Sequence, residues 1–93
     1  MAVRLHRDRM PLKVDGHACW RVEKALNDAN IPYEVVHEPA FPRSRRTRVI
    51  EATGQPLLPA IELPDGRWLR ESSASLAARI RAGQLFDPPD AAA

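Results

Sequence analysis

The chain has 93 residues, of which 44% are hydrophobic and 28% charged, and its formal net charge at pH 7 is +2. This length fits one domain with one small core, and no apolar run approaches the length of a membrane span. The single cysteine excludes an internal disulfide and a zinc site of several cysteines. Charged residues interrupt the first apolar residues, so we find no signal-peptide core and expect a cytoplasmic protein.

A strand and a helix are predicted first. Residues 3–6 alternate between apolar and polar side chains, which is typical of a short strand with one buried side. Residues 8–16 contain proline and glycine among charges and are expected to form a loop. Apolar side chains then recur every three or four positions over residues 18–29, the pattern of an amphipathic helix. Asp15 is a suitable cap for its beginning, and Asn30 is a suitable end.

The middle of the chain predicts a second strand and a second helix. Residues 33–37 are rich in aromatic and β-branched side chains and favour a strand. A helix is expected to begin at Pro42 or Ser44 and to run to Thr53. Gly54 should end this helix, because glycine accepts the left-handed backbone conformation of a helix end.

A hairpin and a final helix complete the pattern. Residues 60–63 and 67–70 flank the turn sequence Pro64-Asp65-Gly66, which predicts two antiparallel strands. Ser72 can cap a helix that buries its apolar side chains and stops at Gly83.

The predicted order is therefore strand, helix, strand, helix, strand, strand, helix. A helical crossover between the first two strands requires a parallel pair, and the tight turn requires an antiparallel pair. The sequence thus predicts an α/β domain over residues 1–83, with a four-stranded mixed sheet. Residues 84–93 are expected to form a flexible C-terminal tail.

Two segments beside the hairpin, Leu58-Pro59-Ala60-Ile61 and Glu71-Ser72, resemble the thiol-binding half of a glutathione S-transferase N-terminal domain. The element order resembles the thioredoxin-like fold that this family shares with glutaredoxins. The resemblance implies a cis peptide bond before Pro59, next to backbone that binds the cysteinyl part of glutathione. It also implies that Glu71 and Ser72 hold the γ-glutamyl end. We therefore expect Leu58, Pro59, Glu71 and Ser72 to bind glutathione or an equivalent low-molecular-weight thiol as ligand or cosubstrate.

General chemistry supports the same assignment for the second segment. A capping serine at the start of a helix suits a carboxylate, and Glu71 can pair with an ammonium group. Ser72 could equally serve only as a helix cap.

The loop before the first helix is where this fold carries its reactive group. The stretch from Gly16 to Val22 resembles the glutaredoxin motif cysteine-proline-tyrosine-cysteine with a following valine, and the zeta-class transferase pattern serine-tryptophan-arginine-valine. Gly16 falls on the nucleophile in both, so it can line a thiol site but supplies no reactive group. Cys19 is either a reactive thiol activated by the helix N-terminus or a buried structural residue. His17 is either a donor to a bound thiolate or an exposed loop residue.

These residues leave two functions open. One is thiol transfer or thiol–disulfide chemistry through Cys19 and His17. The alternative is a catalytically inactive thioredoxin-fold module that contacts a protein partner or a second copy of itself. His6 and His37 have no cysteine or acid at ligand spacing, so no metal is expected.

A cluster of four arginines raises the question of nucleic acid. Aromatic residues make up only 5% of the chain and no nucleic-acid motif accompanies the cluster, so we expect a solvated helix face and no nucleic-acid partner. The cluster comprises Arg43, Arg45, Arg46 and Arg48.

Overall fold

The computed structural model describes residues 2–8, 17–39 and 42–87. The strands are β1 (Val3–Asp8), β2 (Tyr33–Glu38), β3 (Ala60–Glu62) and β4 (Trp68–Leu69). The helices are α1 (Ala18–Asp28), α2 (Thr47–Thr53) and α3 (Ser73–Arg81), and a 3₁₀ turn (Arg43–Arg45) precedes α2. The predicted order of strands and helices is confirmed. Within the described residues, no helix is long and apolar enough to cross a membrane.

The four strands form one mixed sheet in the order β2-β1-β3-β4. β1 and β2 run parallel, from Val3 opposite Tyr33 to Asp8 opposite Glu38. β3 runs antiparallel to β1, and β4 runs antiparallel to β3. The helical crossover and the tight turn therefore produce the parallel and antiparallel pairs that the sequence predicts.

The main core lies between one face of the sheet and the helices α1 and α3. Alternate residues of β1 point to this face, because successive side chains of a strand point to opposite sides. The apolar stripes of both helices close the layer, as their three- and four-residue spacing requires. The buried side chains of this core are Val3, Leu5, Val22, Ala25, Leu26, Ile61, Leu63, Leu76, Ala77, Ile80 and Leu85.

β1 is buried on both faces, which differs from the one-sided strand that the alternation predicts. His6 and Arg7 are 1% and 2% exposed. α2 lies over the face of the sheet that carries His6, while Arg7 lies on the α1 side, where it pairs with Glu23. His6 is therefore buried on the face where the sequence pattern suggested solvent, and Arg7 is a buried charge on the core face.

A polar network joins α1 to the two parallel strands. Arg7 of β1 donates a hydrogen bond to Glu23 of α1. The hydroxyl of Tyr33, at the start of β2, lies 3.0 Å from the other Glu23 oxygen and 2.9 Å from the side-chain oxygen of Asn27, so the two oxygens share its single proton. Burial, followed by the bond to Glu23, raises the pKa of Tyr33, so the hydroxyl keeps its proton and continues to donate.

The helix ends follow local sequence signals. Asn30 has φ of 56°, a left-handed conformation that suits the end of α1. Gly54 has φ of 78° and ends α2 as predicted. Ser72 caps α3 by accepting a hydrogen bond from the backbone N–H of Ser75 at 3.1 Å. The proposed cap of α1, Asp15, lies outside the described residues.

α2 begins later than expected. The predicted start at Pro42 or Ser44 corresponds to the 3₁₀ turn, and regular helix begins only at Thr47. Arg46 separates the two with ψ of 59°, which is not helical. Arg46 is 7% exposed as a residue, so the expectation of a uniformly solvated arginine face is wrong at this position.

The folded domain continues beyond the limit that the sequence suggested. Leu85 belongs to the expected tail, residues 84–93, yet it is 2% exposed and part of the main core. Arg67 donates hydrogen bonds to the backbone carbonyls of Phe86 and Asp87, at 3.2 and 2.8 Å. The packed chain therefore extends to Asp87, and the residues after it lie outside the described part.

Candidate functional site

Three chain segments meet at one edge of the sheet. In the antiparallel pair of β1 and β3, His6 lies opposite Ala60, so the end of β1 at Asp8 lies beside the residues just before β3. In the pair of β3 and β4, Ile61 lies opposite Leu69. Continued two residues beyond the strands, this register would place Pro59 opposite Glu71. The register thus directs the two predicted binding segments toward the same edge of the sheet.

The beginnings of α1 and α3 lie beside this edge. Arg21, in the first turns of α1, donates a hydrogen bond to the hydroxyl of Ser73 at the start of α3, at 2.8 Å. α1 begins after His17, which lies 3.6 Å from the Asp8 carboxylate through its Nε2. Both helices therefore direct their N-terminal backbone N–H groups toward the same edge, where they favour an anion.

The Leu58–Pro59 peptide bond at this edge is cis. Leu58 is half-buried and Pro59 is buried. β3 begins at the next residue, Ala60. Leu58 is thus the last residue before the bend and the strand, so its backbone lies at the boundary between loop and sheet.

A buried arginine fixes the loop that leads to the bend. Arg46 donates from Nε to the carbonyl of Pro39 at 2.9 Å and from a terminal nitrogen to the carbonyl of Pro56 at 2.7 Å. These two carbonyls belong to the end of the β2 segment and to the loop three residues before Pro59. One side chain therefore ties both ends of the α2 region together.

Glu71 and Ser72 lie at the start of α3, as predicted, and both have partners within the chain. The Ser72 hydroxyl is exposed and caps the helix. One oxygen of Glu71 accepts a hydrogen bond from the Ser75 hydroxyl at 2.6 Å. The other accepts one from the Arg79 guanidinium at 2.7 Å. Ser75 and Arg79 were not identified from the sequence as members of the site.

Cys19 lies in the first turn of α1 and is 3% exposed. Burial raises the pKa of its thiol, and the nearby negative charge of Asp8 adds to this effect. A hydrogen bond to the Asp8 backbone and the positive charges of Arg7 and Arg46 act in the opposite direction without reversing it. The thiol is therefore protonated and shielded at neutral pH, which supports the structural interpretation of Cys19 over the reactive one.

His17 is the titratable side chain that the structure brings to the beginning of α1. Its side chain is 23% exposed, so it is partly buried and differs from the exposed loop residue of one sequence interpretation, whereas donation to a bound thiolate stays a prediction. The 3.6 Å separation from Asp8 is too long for a hydrogen bond but allows an ion pair when the ring is protonated. Within the described part of the chain, its Nδ1 has no hydrogen-bond partner. Gly16, its neighbour, lies outside the described residues.

Comparison with known proteins agrees with this arrangement. The family model of the glutathione S-transferase N-terminal domain matches residues 17–77, which is more than half of the chain. The chain belongs to this family. No curated protein sequence gives a match.

Two solved structures share the fold of this transferase-type domain. One is a glutathione transferase homologue from Sulfitobacter with bound glutathione, with a TM-score of 0.67 and 21% sequence identity over 98% of this chain and 42% of that chain. The other is a diazinon-metabolizing glutathione S-transferase of the silkworm Bombyx mori, with a TM-score of 0.67 and 20% identity over 96% of this chain and 41% of that chain. The present chain thus spans about two fifths of either structure.

A polar cluster on the α2 face of this transferase-type domain has no counterpart in the sequence analysis. His6 contacts Glu38 through Nδ1 at 2.8 Å and Glu62 through Nε2 at 3.1 Å. Its ring stacks on Trp68 with a centroid distance of 4.5 Å. Arg48 lies over the same indole and donates to Glu62 at 3.1 Å. Because the two acids are 32 and 56 positions from His6, no local spacing could have revealed the cluster.

This cluster has the character of a structural network. A neutral imidazole can donate to one of the two carboxylates, whereas an imidazolium donates to both. The described residues contain no group of three or more histidine, cysteine or acidic side chains that could hold a metal ion. The stacked indole and the arginine complete the burial of His6.

Proposed function

We propose that this domain binds glutathione or an equivalent low-molecular-weight thiol at the sheet edge formed by Leu58-Pro59, Glu71 and Ser72. The observation that supports the proposal most directly is the strand register: continued two residues beyond the strands, it would place Pro59 opposite Glu71, near the contact between the beginnings of α1 and α3. Membership of the transferase N-terminal domain family supports the same ligand class. The Sulfitobacter homologue of the same fold was solved with glutathione bound.

Each part of such a thiol finds suitable chemistry at this edge. The backbone groups of Leu58, at the end of a loop, could pair with a short peptide in the manner of an added strand. The Ser72 hydroxyl and the first N–H groups of α3 can bind a carboxylate. The sulfur would lie toward the beginning of α1, where backbone N–H groups and His17 favour a thiolate.

We assign the chemistry at the sulfur to the ligand's own thiolate and not to Cys19. Burial raises the pKa of Cys19, so it offers no nucleophile at neutral pH. His17 is the described side chain closest to the start of α1 that can donate a hydrogen bond to a bound thiolate. The domain would then hold and activate a thiol.

Titration of the isotope-labelled chain with reduced glutathione tests this proposal. We expect the backbone amide signals of Leu58, Glu71 and Ser72 to shift together and to saturate. Ser72→Gly removes the hydroxyl. Glycine is itself an acceptable helix cap, so this substitution should lower the stability of the domain by only a few tenths of a kcal/mol. Loss of one hydrogen bond to a charged carboxylate should weaken binding about tenfold. Ser44→Gly, on the exposed 3₁₀ turn, is the matched control and should bind like the wild type.

Signals that do not move at millimolar glutathione would exclude the proposed ligand site. That result would favour the alternative of a catalytically inactive module that contacts a protein partner.

A further inference from the structure

The carboxylate of Glu71 is already neutralised by a cation of its own chain. Its two oxygens accept hydrogen bonds from the Ser75 hydroxyl at 2.6 Å and from the Arg79 guanidinium at 2.7 Å. Arg79 lies two turns further along α3 and forms an ion pair with Glu71. An approaching ammonium group therefore meets a neutral pair and not an isolated negative charge.

The charges around the beginning of α3 add to this effect. Arg21 reaches the same end of the helix through its hydrogen bond to Ser73. Glu71, Arg79 and Arg21 together carry a net positive charge, which the N-terminal backbone N–H groups of α3 reinforce. This end of the site attracts an anionic group and gives little attraction to a cationic one.

We propose that Arg79 is a specificity-determining residue, because its guanidinium occupies the Glu71 carboxylate and leaves no ion-pair partner for the ammonium of a γ-glutamyl group. The site then selects thiols by an anionic end group alone. The inference depends on the proposed thiol-binding function and specifies which class of thiol the site prefers. The preferred ligands are small thiols that end in a carboxylate or another anion, with or without an adjacent amino group.

The pair is partly exposed, and this sets the size of the expected effect. The side chains of Arg79 and Glu71 are 33% and 27% exposed, and ion pairs of this kind contribute little net free energy. Exchange of the guanidinium for a ligand ammonium replaces one such pair by another. The amino group of a ligand should therefore change its affinity by less than about threefold.

Two probes that differ only in this group test the inference. They are reduced glutathione and its desamino analogue, in which a glutaryl group replaces the γ-glutamyl group. In the wild type we expect equal affinities within about threefold. In Arg79→Leu, Glu71 loses its cation and becomes available to the ammonium, so the preference for glutathione should rise to about fivefold, the upper end for an exposed ion pair. In Arg79→Leu combined with Glu71→Gln, the preference should return to the wild-type value.

Arg81→Leu is the matched control. Arg81 lies on the same helix, loses the same charge on substitution and pairs with Asp28 at 2.9 Å, at the far end of α1. This variant should keep equal affinities for the two probes.

The failure of the inference and that of the proposed function are distinguishable. A wild type that prefers glutathione over the desamino analogue by about fivefold or more, with a preference that Glu71→Gln alone abolishes, overturns the role of Arg79 and leaves the thiol site intact. A wild type that binds neither probe overturns both. The Glu71→Gln comparison uses no variant of Arg79, so it decides the question even where Arg79→Leu does not fold.

Discussion

Arg46 should contribute more to the stability of this domain than any exposed arginine of its cluster. The residue is 7% exposed, and its side chain donates to the carbonyls of Pro39 and Pro56 at 2.9 and 2.7 Å. Hydrogen bonds that involve a charged group contribute about 1.5–3 kcal/mol each, so two of them amount to about 3–6 kcal/mol. Both carbonyls belong to loops that can regain water, so we expect Arg46→Met to lower the free energy of unfolding by about 3 kcal/mol.

The neighbouring residue provides a matched control. Arg45 is exposed on the 3₁₀ turn, and Arg45→Met should change the free energy of unfolding by less than about 0.5 kcal/mol. Arg46→Lys keeps the charge but can reach one carbonyl only, so we expect about half of the loss. A domain of this size has a free energy of unfolding of about 5–14 kcal/mol, so the variants remain folded enough for urea unfolding to be measured by circular dichroism. Equal stability of Arg46→Met and Arg45→Met would refute the reasoning.

Three further outcomes follow from individual side chains. Cys19 should react with a thiol probe at neutral pH far more slowly than a free thiol and at full speed after unfolding in urea, because burial raises its pKa; rapid labelling of the folded chain would contradict this. Ser72→Ala should cost about 1 kcal/mol in urea unfolding through loss of the α3 cap, whereas Ser44→Ala should be nearly neutral. Hydrogen bonds from the backbone N–H and the side chain of Arg67 lower the pKa of Asp65. Its contribution to stability is therefore present above the unfolded pKa of about 4 and is lost as the pH falls through the lower folded value. The stability difference between wild type and Asp65→Asn should shrink over that range, and a difference independent of pH would count against it.

The features that the sequence predicted correctly are those with local causes. Gly54 ends α2 because a left-handed backbone is required there, and Ser72 caps α3 through a contact three residues away. The strand order follows from one crossover and one tight turn. Such signals need only neighbouring residues, so the predicted order of elements and the mixed sheet are confirmed.

The features that the sequence did not predict depend on contacts between distant segments. Arg46 reaches carbonyls seven and ten residues away, and nothing in the run of arginines marks it as the buried one. His6 lies between two glutamates that only the sheet register brings together. Leu85 follows the end of α3 and a glycine, and this position suggested a flexible tail. Its side chain nevertheless packs into the core, against residues that are distant in the sequence.

The same distinction explains where the candidate site should be sensitive to mutation. Several of the groups that we propose to bind the ligand are backbone atoms, at Leu58 and at the helix beginnings, which no side-chain substitution removes directly. Their positions depend on buried anchors: Arg46 holds the loop before Pro59, and the bond between Arg7 and Glu23 fixes α1 against the sheet. Substitutions at these anchors should therefore weaken thiol binding as well as stability, although none of the anchors contacts the ligand in the proposed site.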